Sequence, residues 1–183
     1  PYTYFRFSGI QANNNSSNIY LFQNTTTGPS NIAFATPVTF PAGGLSYGLA
    51  LGDFNGDGWL DLAVANQTNN TVKVYKNAAQ TGTINTTSFS LAATVTSSNP
   101  YMVAMGGVDG DGKVDLLSIS GSAPSTFSMY KNTTASTATI TFAGGLNYST
   151  NASGNEWFPS LSLGDFNGDG RLDVVTTSRG NST

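Results

Sequence analysis

The sequence predicts an all-β fold made of repeated antiparallel sheets, and three observations support this. Short runs in which polar and apolar residues alternate, such as Thr71–Lys76, recur along the chain, and no segment has helical periodicity. Clusters of Gly, Asn, Ser and Thr separate these runs. Similar segments begin at positions 53, 107 and 165, which are 54 and 58 residues apart. Self-similarity at such a period is typical of stacked or radial supersecondary units.

About four strands fall within each period. The first unit is predicted to contain Tyr2–Ser8, Ile19–Asn24, Ala33–Phe40 and Leu45–Leu51. The second is predicted to contain Asp61–Asn66, Thr71–Lys76, Ser88–Val95 and Tyr101–Gly106. A third unit follows, and Leu172–Thr177 is left as the opening strand of a fourth. Four antiparallel strands per repeat is the arrangement of a propeller blade. The prediction is therefore about three four-stranded antiparallel propeller-type blades plus one extra strand, with acidic loops between the blades.

We interpret the chain as a single repeat domain over residues 1–183. Its units are approximately 1–52, 53–106 and 107–164, with a partial unit at 165–183. Propellers typically close with about four to eight blades. We therefore expect this chain, which begins at Pro1, to be an excised piece of a longer protein or to be completed by neighbouring copies. In the second case, the surplus strand Leu172–Thr177 would meet the N-terminal segment of another copy.

The composition excludes several classes of function. The chain has no Cys and no His, so thiol nucleophiles, disulfides, the usual zinc sites and His-based catalysis are absent. Charged residues make up only 9% of the chain, and its seven Lys and Arg form no basic patch, so we expect no nucleic-acid partner. No apolar run reaches the length of a membrane-spanning helix, so we expect no membrane insertion.

Nine of the ten acidic residues lie in three short loops, and only Glu156 lies outside them. The first loop (53–61) reads DFNGDGWLD, the middle loop (107–115) reads GVDGDGKVD, and the third loop (165–173) reads DFNGDGRLD. In the first loop, side chains at alternate positions and one carbonyl can converge on a single centre, and Gly56 and Gly58 permit the positive-φ turns that this requires. All-oxygen ligation suits Ca²⁺. The alternative is that these are ordinary Asx-rich turns.

These loops resemble those of the VCBS and FG-GAP repeat family, whose blades also occur in integrin α-subunits, and the resemblance covers most of the chain. It implies a β-hairpin loop that holds Ca²⁺, up to three ions here, an extracellular setting, and structural or adhesive work. The implied ligands in the first loop are Asp53, Asn55, Asp57, the Trp59 carbonyl and Asp61. In the middle loop they are Asp109, Asp111, the Lys113 carbonyl and Asp115. In the third loop they are Asp165, Asn167, Asp169, the Arg171 carbonyl and Asp173. Because Gly107 replaces the first ligand, we expect the middle loop to keep a water in that position or to bind more weakly.

Weaker patterns point to other sites. Asn-X-Ser/Thr sequons mark candidate N-glycosylation sites at Asn14, Asn15, Asn24, Asn66, Asn69, Asn85, Asn132, Asn147, Asn151 and Asn181. Trp157 beside Glu156 could cradle a sugar, although a loop aromatic packed under its blade is the plainer interpretation. The aromatic segment Tyr2–Phe7 is either an ordinary first strand or one that pairs with another subunit.

Taken together, these features favour a secreted or cell-surface protein that is not an enzyme. It would act as a structural or adhesive calcium-binding repeat protein and would join end to end into a filament or larger propeller. Its partners would be copies of itself and, in addition, glycans or cell-surface proteins. The alternatives are a carbohydrate-binding, lectin-like module and an accessory segment of a longer secreted protein.

Overall fold

The computed structural model describes residues 18–78, 81–122, 125–150 and 159–177, together with the backbone of residues 6–10. Within these ranges the chain forms thirteen β-strands and no helix. The predicted all-β architecture is therefore confirmed. No helix in the described part of the chain is long and apolar enough to cross a membrane.

The strands form four antiparallel sheets, each of which follows the chain order. The first sheet contains β1 (Arg6–Ile10), β2 (Asn18–Phe22) and β3 (Val38–Pro41). The second blade contains β4 (Ser46–Gly52), β5 (Asp61–Asn66), β6 (Thr71–Asn77) and β7 (Phe89–Thr96). The third blade contains β8 (Pro100–Gly106), β9 (Asp115–Ser120), β10 (Thr126–Tyr130) and β11 (Leu146–Ser149). The last hairpin contains β12 (Ser160–Gly164) and β13 (Asp173–Thr177).

Each acidic loop connects two neighbouring strands of the same sheet. The prediction that these loops lie between blades was therefore wrong. The strand before each loop pairs with the strand after it, and Gly52 stands opposite Asp61 at the base of the first loop. The predicted units had placed the strand before the loop in the preceding blade. The physical reason is local: a loop of eight residues reverses the chain and brings consecutive strands into antiparallel register. The predicted antiparallel, blade-type sheets are confirmed, and in the described part of the chain they have three, four, four and two strands.

The second strand of a blade is buried on both faces, because neighbouring sheets cover it on either side. In β5, Leu62 and Val64 pack in one cluster with Ile19 and Leu21 of the first sheet. The alternate residues Ala63 and Ala65 pack in a separate cluster with residues of the third blade. All six residues of β5 are buried, as are all six of β9. Such two-sided burial is expected when sheets stack face to face.

The first strands of successive sheets lie next to one another: β4 contacts β8, and β8 contacts β12. Two glycines show how closely they approach. A Cβ added at Gly48 would stand 2.6 Å from Cα of Met102, and one at Gly106 would stand 2.7 Å from a methyl group of Leu172. Real Cβ contacts are longer than this. At Gly48 the nearest atoms are backbone, so the spacing between β4 and β8 depends on the absence of a side chain there, whereas at Gly106 the nearest atoms are the ends of leucine side chains.

Candidate functional site

The first loop is organised around the carboxylate of Asp53. One oxygen of this carboxylate accepts hydrogen bonds from the amides of Gly56 at 2.7 Å and Asp57 at 3.1 Å, and the other accepts from Gly58 at 2.7 Å. Both glycines have positive φ, 73° at Gly56 and 84° at Gly58, a conformation that side chains disfavour. The loop therefore wraps its own backbone around one carboxylate.

The remaining polar side chains of the first loop are also fixed by amides. Oδ1 of Asn55 accepts from the amide of Asp57 at 3.1 Å, and Oδ1 of Asp57 accepts from the amide of Trp59 at 3.0 Å. Burial, the largest single influence, raises the pKa of Asp57, but hydrogen bonds from Trp59 and Asn55 and the nearby positive charge of Lys76 outweigh it and leave this pKa below its usual value. Asp57 is therefore held as a carboxylate.

Asp61 closes the base of the loop. Its buried carboxylate accepts hydrogen bonds from the amide of Phe54 at 3.0 Å and from the amide of Asn77, at the end of β6, at 2.9 Å. Burial raises the pKa of Asp61, and these two bonds oppose that change. Asp61 thus ties the loop to the third strand of its blade.

The third loop repeats this arrangement at the surface. Asp165 accepts from the amides of Gly168 at 2.7 Å and Gly170 at 2.8 Å, and Asp173 accepts from Phe166 at 3.0 Å. The hydrogen bond from Gly170 is the main reason that the pKa of Asp165 lies below its usual value. Oδ1 of Asn167 accepts from Asp169 at 2.9 Å, as its counterpart does in the first loop.

The middle loop has a different charge arrangement. Gly107 provides no carboxylate, and the ammonium group of Lys131 contacts the carboxylates of both Asp109 and Asp111. The hydrogen bond from Lys131 holds the pKa of Asp109 below its usual value. The other bonds follow the first loop. Asp115 accepts from the amides of Val108 at 3.0 Å and Asn132 at 2.8 Å, and Asp109 and Asp111 each accept from the amide two residues further on at 3.0 Å.

The donor chemistry of the first and third loops fits a hard cation, since every side-chain ligand predicted there is a carboxylate or amide oxygen. Oδ2 of Asp53 and Oδ2 of Asp165 each accept one loop N–H and so keep a second lone pair for a metal. Across the described ranges, however, no three carboxylates come together in a group that could hold a metal ion. An ion bound in these loops would need the Asn oxygens and main-chain carbonyls as well. The middle loop does not fit, because an ammonium group already stands between two of its carboxylates.

The first loop is also bonded to the third blade, which sequence reasoning missed. The carbonyl of Thr137, between β10 and β11, accepts hydrogen bonds from Nδ2 of Asn55 at 2.7 Å and from the ammonium of Lys76. Asn132 crosses the same boundary, because its Nδ2 donates to the Phe54 carbonyl at 2.8 Å. The recurrence of Tyr-Lys-Asn at residues 75–77 and 130–132 was the available signal.

The candidate glycosylation sites differ in their surroundings. Asn66 and Asn132 are fully buried, and both use Nδ2 in hydrogen bonds, so we expect no glycan on either in the folded protein. Asn69, Asn85 and Asn147 are exposed and Asn24 is half-buried, and these stay predictions. The other glycosylation candidates lie outside the described residues: Asn14, Asn15, Asn151 and Asn181. The pair Glu156 and Trp157 also lies outside them.

Comparison with known families gives one result. The FG-GAP-like repeat matches the chain three times, at residues 7–64, 53–118 and 107–176. No curated protein and no solved structure is similar enough to match. The three matches together span most of the chain, and each contains at least one of the acidic loops. The chain therefore belongs to the FG-GAP-like repeat family.

Proposed function

We propose that this chain is an extracellular, non-enzymatic repeat protein in which calcium bound at the first and third loops stiffens the blades. The observation that carries the proposal is the shared geometry of Asp53 and Asp165. Each carboxylate accepts three loop amides, at positions that match in the two loops. This pre-arranges a negative group inside an oxygen-only loop and lowers the ordering cost of binding a cation.

The ligands in the first loop would be Asp53, Asn55, Asp57, Asp61 and the Trp59 carbonyl. In the third loop they would be Asp165, Asn167, Asp169, Asp173 and the Arg171 carbonyl. A bound Ca²⁺ would supply the positive charge that offsets the mutual repulsion of the carboxylates. Because the first loop is hydrogen-bonded to Thr137 of the third blade, an ion there would stiffen the contact between two blades as well as one hairpin. This supports a structural or adhesive role.

A secreted or cell-surface location is part of the proposal. Extracellular calcium modules bind Ca²⁺ with dissociation constants of about 10⁻⁴–10⁻³ M. Partly exposed loops such as these can be saturated at calcium concentrations in that range. The absence of His and Cys from the sequence, and the use of nine acids in the loops, support a role other than catalysis. No described residue favours the lectin-like or accessory-segment alternative.

Calcium titration tests this proposal. We expect isothermal titration of the chelated protein to show two strong sites, one of which is lost in Asp53→Ala and the other in Asp165→Ala. At a free calcium concentration 100 times the Kd, each site should add about 2.7 kcal/mol to the free energy of unfolding. The number of sites is the primary measurement, since alanine also removes hydrogen bonds from the loop. Absence of binding at millimolar calcium would refute the proposal.

Self-association is a second candidate, and the exposed apolar side chains of the last hairpin favour it. Phe166 is 64% exposed and Val175 is 45% exposed, so this hairpin presents two apolar side chains to solvent. We propose that another copy of the chain covers them, by a head-to-tail contact that forms a filament or a larger propeller. Light scattering in millimolar calcium should show oligomers, and Val175→Lys should shift them towards monomer. A uniform monomer for the unmodified chain would count against this candidate.

A further inference from the structure

Lys131 directly follows β10 and places its ammonium group against the middle loop. Nζ donates a hydrogen bond to Oδ2 of Asp109 and lies 3.2 Å from Oδ2 of Asp111. The two carboxylates that would otherwise repel each other therefore share one cation supplied by the chain itself.

The equivalent residue of the second blade behaves differently. Lys76 donates to the Thr137 carbonyl of the neighbouring blade, and its Nζ is 3.6 Å from a single carboxylate oxygen, that of Asp57. In the first loop, the carboxylate of Asp53 organises the backbone instead. The middle loop has Gly107 in that place and lacks those contacts, and its lysine instead joins two carboxylates.

The middle loop contains a cationic residue of its own, Lys113, whose ammonium group is bonded away from Asp109 and Asp111. Nζ of Lys113 donates to the Thr134 carbonyl at 2.7 Å and forms no ion pair with a described carboxylate. The charge balance between Asp109 and Asp111 therefore rests on Lys131.

We propose that Lys131 is a built-in counter-ion that takes the place of a metal in the middle loop. The loop then keeps its shape without calcium, and a calcium ion can enter only by displacing the ammonium group. The displacement part rests on the proposed calcium function of the other loops, whereas the counter-ion part does not. The chain would thus combine two metal-dependent loops with one that is independent of metal.

The counter-ion part is tested in chelator. We expect Lys131→Gln to lower the Tm by about 2 °C, the size of effect that a partly exposed ion pair produces in a chain of this length. Lys131→Arg, which keeps the charge, should recover most of this loss. In an Asp109→Asn, Asp111→Asn background, the same Lys131→Gln change should have almost no effect. An equal loss in both backgrounds would mean that Lys131 acts through packing alone, and this would overturn the proposal.

The displacement part is tested by calcium titration of the same variants. Lys131→Gln should strengthen binding at the middle loop at least about tenfold, because a unit charge is removed within a few ångströms of the ion. It would be seen as a third site. Lys76→Gln is the matched control: its ammonium group lies 3.6 Å from one carboxylate oxygen and is not shared between two carboxylates, so this variant should strengthen the first site less than Lys131→Gln strengthens the middle one. If Lys131→Gln adds no third site while the other two loops bind, displacement is refuted. If no loop binds, the calcium function fails and the chelator experiment still decides the counter-ion role.

Discussion

Replacing Asn132 with alanine is expected to lower the free energy of unfolding by about 3 to 5 kcal/mol. The side chain is fully buried, and its Nδ2 donates to the carbonyls of Phe54 at 2.8 Å and Val114 at 2.9 Å. Each carbonyl left without a donor costs about 1–3 kcal/mol, and the lost acceptor for the amide of Thr134 adds to this. Urea denaturation in chelator measures the loss without a contribution from calcium.

Asn24 provides a matched control for Asn132. It occupies the same place in the first sheet, where its Oδ1 accepts from the amide of Thr26 at 2.8 Å, just as Asn132 accepts from Thr134 at 2.9 Å. Both residues also form an isolated bridge to a phenylalanine, Phe34 or Phe142. We expect Asn24→Ala to cost only about 1 kcal/mol. Equal losses in the two variants would show that the bonds to Phe54 and Val114 contribute nothing measurable.

Removing the carboxylate of Asp61 should have the second-largest effect. Asp61→Ala leaves the amides of Phe54 and Asn77 without their acceptor, and the site is buried, so we expect a loss of about 3 kcal/mol in chelator. The reason is that one carboxylate joins the start of the loop to the end of β6. Chemical denaturation, with the slope of the transition checked against the unmodified protein, gives the value.

Asp173 stands at the same position of the third loop and is the control for Asp61. It is half-buried, and it accepts from the amide of Phe166 at 3.0 Å. Asp173→Ala should therefore cost about 1 kcal/mol. If this variant were destabilised as much as Asp61→Ala, the link to β6 would not explain the difference between the loops.

Much of the strand pattern could be predicted from the sequence. The strand Asp61–Asn66 has the predicted bounds, and Thr71–Asn77 is one residue longer than predicted. Thr71–Asn77 alternates regularly, Asp61–Asn66 is a short apolar run, and Asp or Asn marks the ends of both, so local chemistry determines the structure. The prediction failed at Ala33–Phe40, where the strand is confined to Val38–Pro41. Residues 24–34 instead extend the hairpin around a turn that closes with the Gly28–Asn31 hydrogen bond.

The grouping of strands into sheets could not be read from the repeat pattern. A periodic sequence can be divided into repeat units at any point of the period. The acidic loops are its most recognisable segments, and the predicted units therefore began at them. Pairing of Gly52 with Asp61 shows that the sheet begins one strand earlier. Only the pairing itself, which depends on how the loop folds back, distinguishes the two divisions.

The loop residues were predictable in identity but not in their bonding. The spacing of Asp53, Asp57 and Asp61 points to a turn with several carboxylates, and the structure shows such a turn. The spacing of these residues could not predict that Asn55 donates a hydrogen bond to Thr137, since these two residues are 82 positions apart. The burial of Asn132 could not be predicted for a similar reason, because a three-residue sequon carries no information about burial.

The close backbone approach at Gly48 has an evolutionary consequence. A larger residue there would meet the main chain of the neighbouring sheet, so mutational drift should be suppressed at this position. The outermost strands β7 and β11 carry mostly exposed side chains and face no such limit. Divergence among copies of this repeat should accumulate at the outer rim, where new binding surfaces could arise without disturbing the centre.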